Sequence, residues 1–378
     1  MTATTTARSP SLLASTPGTT LFVLWTTYAS FYFCRVNFGP AVPAIQKELG
    51  FTAIEVGFLL GAVKVGYALG QLVNGQLTER YGARRILTLG MIGSAAATLL
   101  LAAAPSLSRA GAGAALGVGV RAIAGGIGLH IADTGPLALM LLLAFVNGWF
   151  QSAGWPPVVK IAGRWFTVAS RGVTMGILGT SLTIGSALAL FAVGGLLSLT
   201  GSWRAAFVVT AFVLLASCAH MALRLPEHPP EPLADAGAAV ARPERIPLSE
   251  ALAATLGNPR IWVLAFGLFG LDAVRYGFLD WGPKHLAEVH GAGPAITALK
   301  TAVFPLAGAL GALSSGPLSD RFFQSRRAPV CAAFLAAMGL LTFVYRSAVG
   351  WGTIPTVICL GLAGFFLFGA QILLVVTA

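Results

Sequence analysis

The sequence predicts an all-α integral membrane protein built from two pseudo-symmetric helical halves, and three observations carry that reading. Of 378 residues, 56% are hydrophobic and only 10% are charged, with a mean hydropathy of +0.80; water-soluble domains carry about 25% charged residues. Apolar runs of the roughly 20 residues that a spanning helix needs recur ten times. They are long and continuous, not the alternating ten-residue segments of a barrel. Finally, a polar pattern occurs twice, as "GQLTERYGARR" at 75–85 and "GPLSDRFFQSRR" at 316–327. Internal repeats of this kind mark transporters made of two related halves.

The elements follow in order. The opening "MTATTTARSPSLLASTPGTT" is too poor in apolar residues for a cleavable signal peptide and leads into a first span at 20–42. Further spans are expected at 53–74, 86–104, 136–163, 172–197, 203–223, 259–281, 296–315, 328–347 and 353–377. Residues 1–223 then form a six-span first half and 259–378 a second half of four spans. Between them, 224–258 is rich in Pro and charge and reads as a cytoplasmic linker. The Gly/Ala-rich stretch 105–135, with Arg121 near its centre, is expected to be an extracytoplasmic excursion. Its middle is apolar enough to suggest an extra span, which would invert everything downstream.

The net charge of +11 reports topology. By this placement fourteen of the 24 Lys and Arg fall on one side, six on the other and four within spans. Basic loops stay in the cytoplasm, so the N-terminus is placed there, in the cell membrane, and no nucleic-acid partner is implied. Cys34, Cys218, Cys331 and Cys359 stand singly in apolar runs and read as small buried hydrophobes. No zinc spacing, nucleophile elbow or phosphate-cradling loop is present, so neither an enzyme nor a metal or cofactor is expected.

Arginine at bilayer depth costs about 2.5–3.5 kcal/mol even on the lenient insertion scale. Two such residues occur, Arg35 and Arg275. Arg35 lies 40 residues before Gly75 and Arg275 lies 41 before Gly316, so the repeat places them at equivalent points of the two halves. Guanidinium stays protonated and presents a planar fork suited to phosphate or carboxylate. The pair is therefore expected to converge on an anion at the interface of the halves. The bland reading is snorkelling, or pairing with a nearby acid.

Lys64 is a third deep cation, expected to add charge to the same cavity. Tyr28 and Tyr32 share a face with Arg35, lining the cavity or merely packing. Asp272, one turn before Arg275, is either its neutralising partner, the favoured reading, or a proton-coupling carboxylate. Lys300, near a span start, is expected to snorkel, and Asp280 and Trp281 to sit at an interface. The repeated loops read as gate hardware: Gly75, Glu79, Arg80 and Arg84, then Gly316, Asp320 and Arg321, bonding to helix ends until the halves rock.

These loops resemble the signature of the major facilitator superfamily. More narrowly, "FYFCRVNFGPAVPAI" (31–45), "NGWFQSAGWPP" (147–157), "GSWRAAF" (201–207) and "VRYGFLDWGPKHL" (274–286) resemble the organophosphate:phosphate antiporter family. The resemblance implies the major facilitator fold and exchange of an organophosphate for inorganic phosphate. It makes Arg35 and Arg275 phosphate ligands and adds Gln151, in the second block, to the substrate-binding set. Three positions depart from the glycerol-3-phosphate branch: Leu182 where a histidine stands, Gln71 where a lysine stands, and Asp272 where an aromatic is expected. The family has twelve spans, so with ten the expectation is a chain truncated at its C-terminus. The reading is a monomeric alternating-access exchanger. A proton-coupled organic-anion carrier using Asp272, and a non-transporting receptor or remnant, stay open.

Overall fold

The computed structural model describes residues 16–111, 113–126, 135–226, 228–229, 250, 256–324 and 326–377. Most of the expected linker and residues 127–134 of the expected excursion lie outside them. Among the described residues every regular element is helical. Nine helical stretches are long and apolar enough to cross a membrane, running from Ala53–Tyr81 to Thr353–Leu374. They coincide with the second to tenth spans read from the sequence.

The first span is not one helix. It consists of α1 (Pro17–Phe31), a 3-10 turn (Tyr32–Cys34) and α2 (Phe38–Leu49). Pro40 and Pro43 supply no backbone N–H to the preceding turn, so the ladder lapses around Arg35. There follow α3 (Ala53–Tyr81), α4 (Ala83–Arg109) and α5 (Ala114–Gly126). At 13 residues α5 is shorter than a span requires. The fourth span is broken into α6 (Gly135–Gln151) and α7 (Trp155–Trp165), the second part opening on Pro156 and Pro157. The half closes with α8 (Val168–Thr200) and α9 (Trp203–Arg224).

The second half begins with α10 (Pro259–Tyr276), a π turn (Gly277–Trp281) and α11 (Gly282–His290). Pro283 cannot donate to the carbonyl of Leu279, and the ladder widens there instead of breaking. Then come α12 (Pro294–Phe323), α13 (Arg327–Gly350) and α14 (Thr353–Thr377).

The repeat is visible in the packing. In the first half α3 and α6 meet through reciprocal glycines, where a Cβ on Gly66 would strike the carbonyl of Phe145 and one on Gly148 that of Val63. In the second, Gly311 faces the carbonyl of Phe365 and Gly364 that of Phe304 across α12 and α14. Small residues let membrane helices approach closely where no hydrophobic effect drives them together. Outward faces stay apolar: Val263, Phe266 and Phe343 are each at least two-thirds exposed, as lipid contact demands.

Contacts between the halves gather at the end opposite the polar repeats and the linker. There Ala295 N donates to Ser198 Oγ at 3.0 Å, and Gly194 abuts Pro294 and Ala298. Gly39 lies against the carbonyls of Leu279 and Asp280, with no room for a Cβ. The proline-freed carbonyl of the second half thus seats on a glycine of the first.

Candidate functional site

All three helix discontinuities surround one cavity of about 650 Å³ between the halves. Arg35 reaches it from the break after α1, Gln151 stands at the end of α6, and Arg275 sits one residue before the end of α10. Interrupted helices are where membrane proteins place irregular, polar backbone next to a site.

Arg35 is buried, at 6% exposure, and fully engaged. Nε donates to Gln151 Oε1 at 3.0 Å, Nη1 to Tyr32 Oη at 3.0 Å and Nη2 to the Gln151 carbonyl at 3.3 Å. Its guanidinium carbon lies 4.6 Å from the ring centre of Tyr32, 4.8 Å from that of Tyr67 and 5.9 Å from that of Tyr28. Gln151 is itself held: Nε2 donates to the Phe31 carbonyl at 3.1 Å and to Ser94 Oγ at 2.7 Å. Ser94 donates to Asn147 Oδ1 at 2.6 Å, and Asn147 Nδ2 to the Cys34 carbonyl at 2.9 Å. Among the described residues every partner of Arg35 is neutral, so none of them compensates its charge.

Arg275, at 7% exposure, mirrors this arrangement. Nη1 donates to Gln371 Oε1 at 3.3 Å, Nη2 is 3.1 Å from Asp272 Oδ1, and its guanidinium lies 4.6 Å from the Tyr276 ring centre. Each arginine thus has a glutamine from the fourth span of its own half and a tyrosine under its plane. The difference is Asp272, whose carboxylate offsets the Arg275 charge on this side.

Lys64 lines the same cavity, with its Nζ 2.7 Å from Asp280 Oδ2 and 4.3 Å from the Tyr276 ring centre. Asp280 corrects the sequence reading. Instead of sitting at an interface it is 3% exposed and pairs with Lys64 across the two halves, because the π turn rotates its side chain inward. Trp281 is half-buried, near Gly57 of the first half. Lys300 is also corrected. It does not snorkel but is buried, donating to His290 Nδ1 at 3.2 Å and Thr353 Oγ1 at 3.1 Å. Tyr28, Tyr32 and Leu182 line the cavity, while Gln71 bonds Tyr67, which also lines it. All four cysteines are buried thiols.

The residues of the two repeated loops sit away from the cavity. Glu79 pairs with Lys160 at 2.7 Å, and Lys160 also donates to the Thr78 carbonyl at 3.1 Å. Arg84 donates to the Ala222 carbonyl in the last turn of α9. Arg80 lies over Tyr81 and Arg321 over Phe322, with Asp320 adjacent. A Cβ on Gly75 or Gly316 would meet open space.

Sequence reasoning missed Gln371, Tyr67, Tyr276 and the Lys64–Asp280 pair. Gln371 had a signal: it is the lone amide in the apolar run 353–377. Gln151 follows Arg35 by 116 residues and Gln371 follows Arg275 by 96, the gap being taken up by the 105–135 stretch.

Two packed helical halves with a cationic cavity between them define a membrane transporter. The chain belongs to the Major Facilitator Superfamily, whose family profile matches residues 24–378. It is 27% identical over 358 residues to the glycerol-3-phosphate transporter of Bacillus subtilis, covering 92% of this chain and 74% of that protein. It is 26% identical to a probable hexose phosphate transport protein of Chlamydia trachomatis, with the same coverages. Against the membrane sensor protein UhpC of Escherichia coli it is also 26% identical, over 94% of this chain and 76% of that one. In fold it matches a bacterial homologue of the lysosomal transporter Spinster, with a TM-score of 0.67, 17% identity, and coverage of 96% of this chain and 75% of that one. The xylose transporter XylE of Escherichia coli gives the same TM-score at 12% identity, covering 94% and 83%.

Proposed function

We propose that the chain exchanges a phosphorylated organic anion for inorganic phosphate across the cell membrane by alternating access. The observation that carries this reading is the convergence of Arg35 and Arg275 on one cavity from equivalent points of the two halves. A phosphoryl group carries about −1.5 to −2 charges at neutral pH and accepts bidentate guanidinium bonds. The uncompensated Arg35 and the Asp272-paired Arg275 leave net positive charge facing an empty cavity. An anion between them removes that penalty, so the occupied carrier rocks and the empty one does not. That is the condition for exchange instead of leak. The named activities of the glycerol-phosphate and hexose-phosphate relatives support the same substrate class. The charge asymmetry of the loops supports a cytoplasmic N-terminus, and the carrier works as a monomer because each half supplies one arginine.

Proteoliposomes loaded with phosphate should take up labelled external phosphate. Arg35→Lys and Arg275→Lys should each abolish uptake, since an ammonium cannot reproduce the fork or its glutamine bond. Uptake indifferent to both changes overturns the arginine clamp. The similarity to a membrane sensor favours one second reading, a receptor; phosphate binding without exchange would select it.

A further inference from the structure

Charge in the cavity does not close for a simple phosphate monoester. Lys64 and Asp280 cancel at 2.7 Å, and Asp272 cancels one of the two arginine charges. One net positive charge then faces an anion of about −1.5 to −2. The excess negative charge would be carried into the closed site as the halves rock, where an uncompensated ion is expensive. Asp272 is placed to receive a remedy. Its Oδ1 is buried 3.1 Å from Arg275 Nη2 yet accepts no hydrogen bond, its side chain is 42% exposed and lines the cavity, and neither carboxylate oxygen is hydrogen-bonded among the described residues. Beside it the wall is apolar, formed by Phe269, Leu182 and Ile372, and Thr183 has its hydroxyl proton committed to the Thr180 carbonyl. That wall suits a short carbon chain better than a polyol.

We propose that Asp272 reads a cationic amine on the substrate, so that the organic partner is a small zwitterion: a phosphoryl or phosphonyl group joined to an ammonium by two or three carbons. This rests on the anion reading of Arg35 and Arg275. The spacer length follows from geometry. A phosphoryl oxygen bonded to the Arg275 guanidinium is a neighbour of Asp272, whose carboxylate is 3.1 Å from the same group. An amine bridging to Oδ2 therefore has only a few ångströms to cover. With the ammonium in place the site is close to neutral, and no charge is stranded when the halves close.

The test compares 2-aminoethylphosphonate with propylphosphonate, nearly the same shape with a methyl in place of the ammonium. Each competes against labelled phosphate in proteoliposomes, and each is scored separately for thermal stabilisation of the purified chain in detergent. The amine should act at about tenfold lower concentration, the usual scale of a hydrogen bond between charged groups. In Asp272→Asn that ratio should fall to about one. Equal potency of the two compounds in the unaltered chain, or a preference that survives Asp272→Asn, overturns the proposal and leaves Asp272 as a counter-ion of Arg275. Equal potency together with uptake driven by a proton gradient assigns Asp272 to proton coupling, which also overturns it. Absence of phosphate exchange would sink the exchanger reading alone, because thermal stabilisation still ranks the two phosphonates.

Discussion

At the scale of single residues, the two glutamines behind the arginines are related by the repeat but not equal in burden. Gln151 is fully buried and ties Arg35 to α1 and, through Ser94, to α4. Gln151→Leu leaves a guanidinium N–H, a carbonyl and a hydroxyl short of partners, at about 1–3 kcal/mol for each group that water cannot reach. The expected outcome is a lower melting temperature together with lost transport. Gln371 is half-buried and makes one long bond, at 3.3 Å. Gln371→Leu should therefore melt like the parent while its KM for phosphate rises about tenfold, the cost of a wandering Arg275. Thermal denaturation beside a phosphate titration separates the two outcomes, and equal behaviour would contradict this division. Arg35 and Arg275 were legible in the sequence because a charge in lipid is costly and the repeat marked it twice. Gln371 was not, since a neutral amide in an apolar run announces nothing by cost. Asp280 and Lys300 were misplaced because span ends were assigned by length, whereas a π turn and a long α12 carry both residues inside the protein.

At the scale of elements, the interruptions decide the geometry. Prolines were readable as breakers, yet the kind of break was not: the same deficit gives a 3-10 turn near Pro40, a full gap before Pro156 and a π turn before Pro283. Which form wins depends on the helix packed alongside, as Gly39 shows. Gly39→Ala puts a methyl into the Leu279 carbonyl, where less than 3 Å is available. It should weaken the seal between the halves at that end, seen as faster modification from that side of a cysteine introduced into the cavity, without loss of the helical circular dichroism signal. At the same end Glu48 joins α2 to α9, bonded to Arg204 at 2.7 Å and to Trp203 Nε1 at 2.8 Å. The Arg204 hydrogen bond holds the Glu48 carboxyl below its ordinary range. Its folded-state pKa being lowered, the stabilisation is present above the unfolded value of about 4.3 and is lost as pH falls through the lowered one. The pair is exposed, so it is worth at most about 1 kcal/mol. Glu48→Gln should lower the melting temperature slightly at pH 7, and the difference should vanish once the carboxyl is protonated in the folded chain as well. A difference that persists in acid would exclude an ionic tie.

At the scale of the whole molecule, the fold class was legible from apolar run length and the duplicated loops, because a bilayer permits few architectures and the repeat names this one. The state of the molecule was not legible, since it depends on contacts between residues 97 or more positions apart. Lys64 and Asp280 are separated by 216 positions and join the halves at 2.7 Å. With Ser198–Ala295 and Gly39–Leu279 they close the end opposite the linker. The cavity should then be reachable from the linker side. Because the four native cysteines are buried, an impermeant maleimide should leave the parent chain nearly unlabelled and react with Leu182→Cys from the linker side, slowed by phosphate. Asp280→Asn in that background strands the Lys64 charge against the second half and should move labelling toward the other side. Lys64 is 27% exposed, so the effect falls short of the about 3–5 kcal/mol of a fully buried pair. Even about 1.4 kcal/mol shifts the ratio of the two access states tenfold, which labelling rates resolve. Adding Lys64→Gln removes the stranded charge and should return part of the original sidedness. Equal labelling from both sides in all three variants would mean that this pair only neutralises itself and does not hold the halves together.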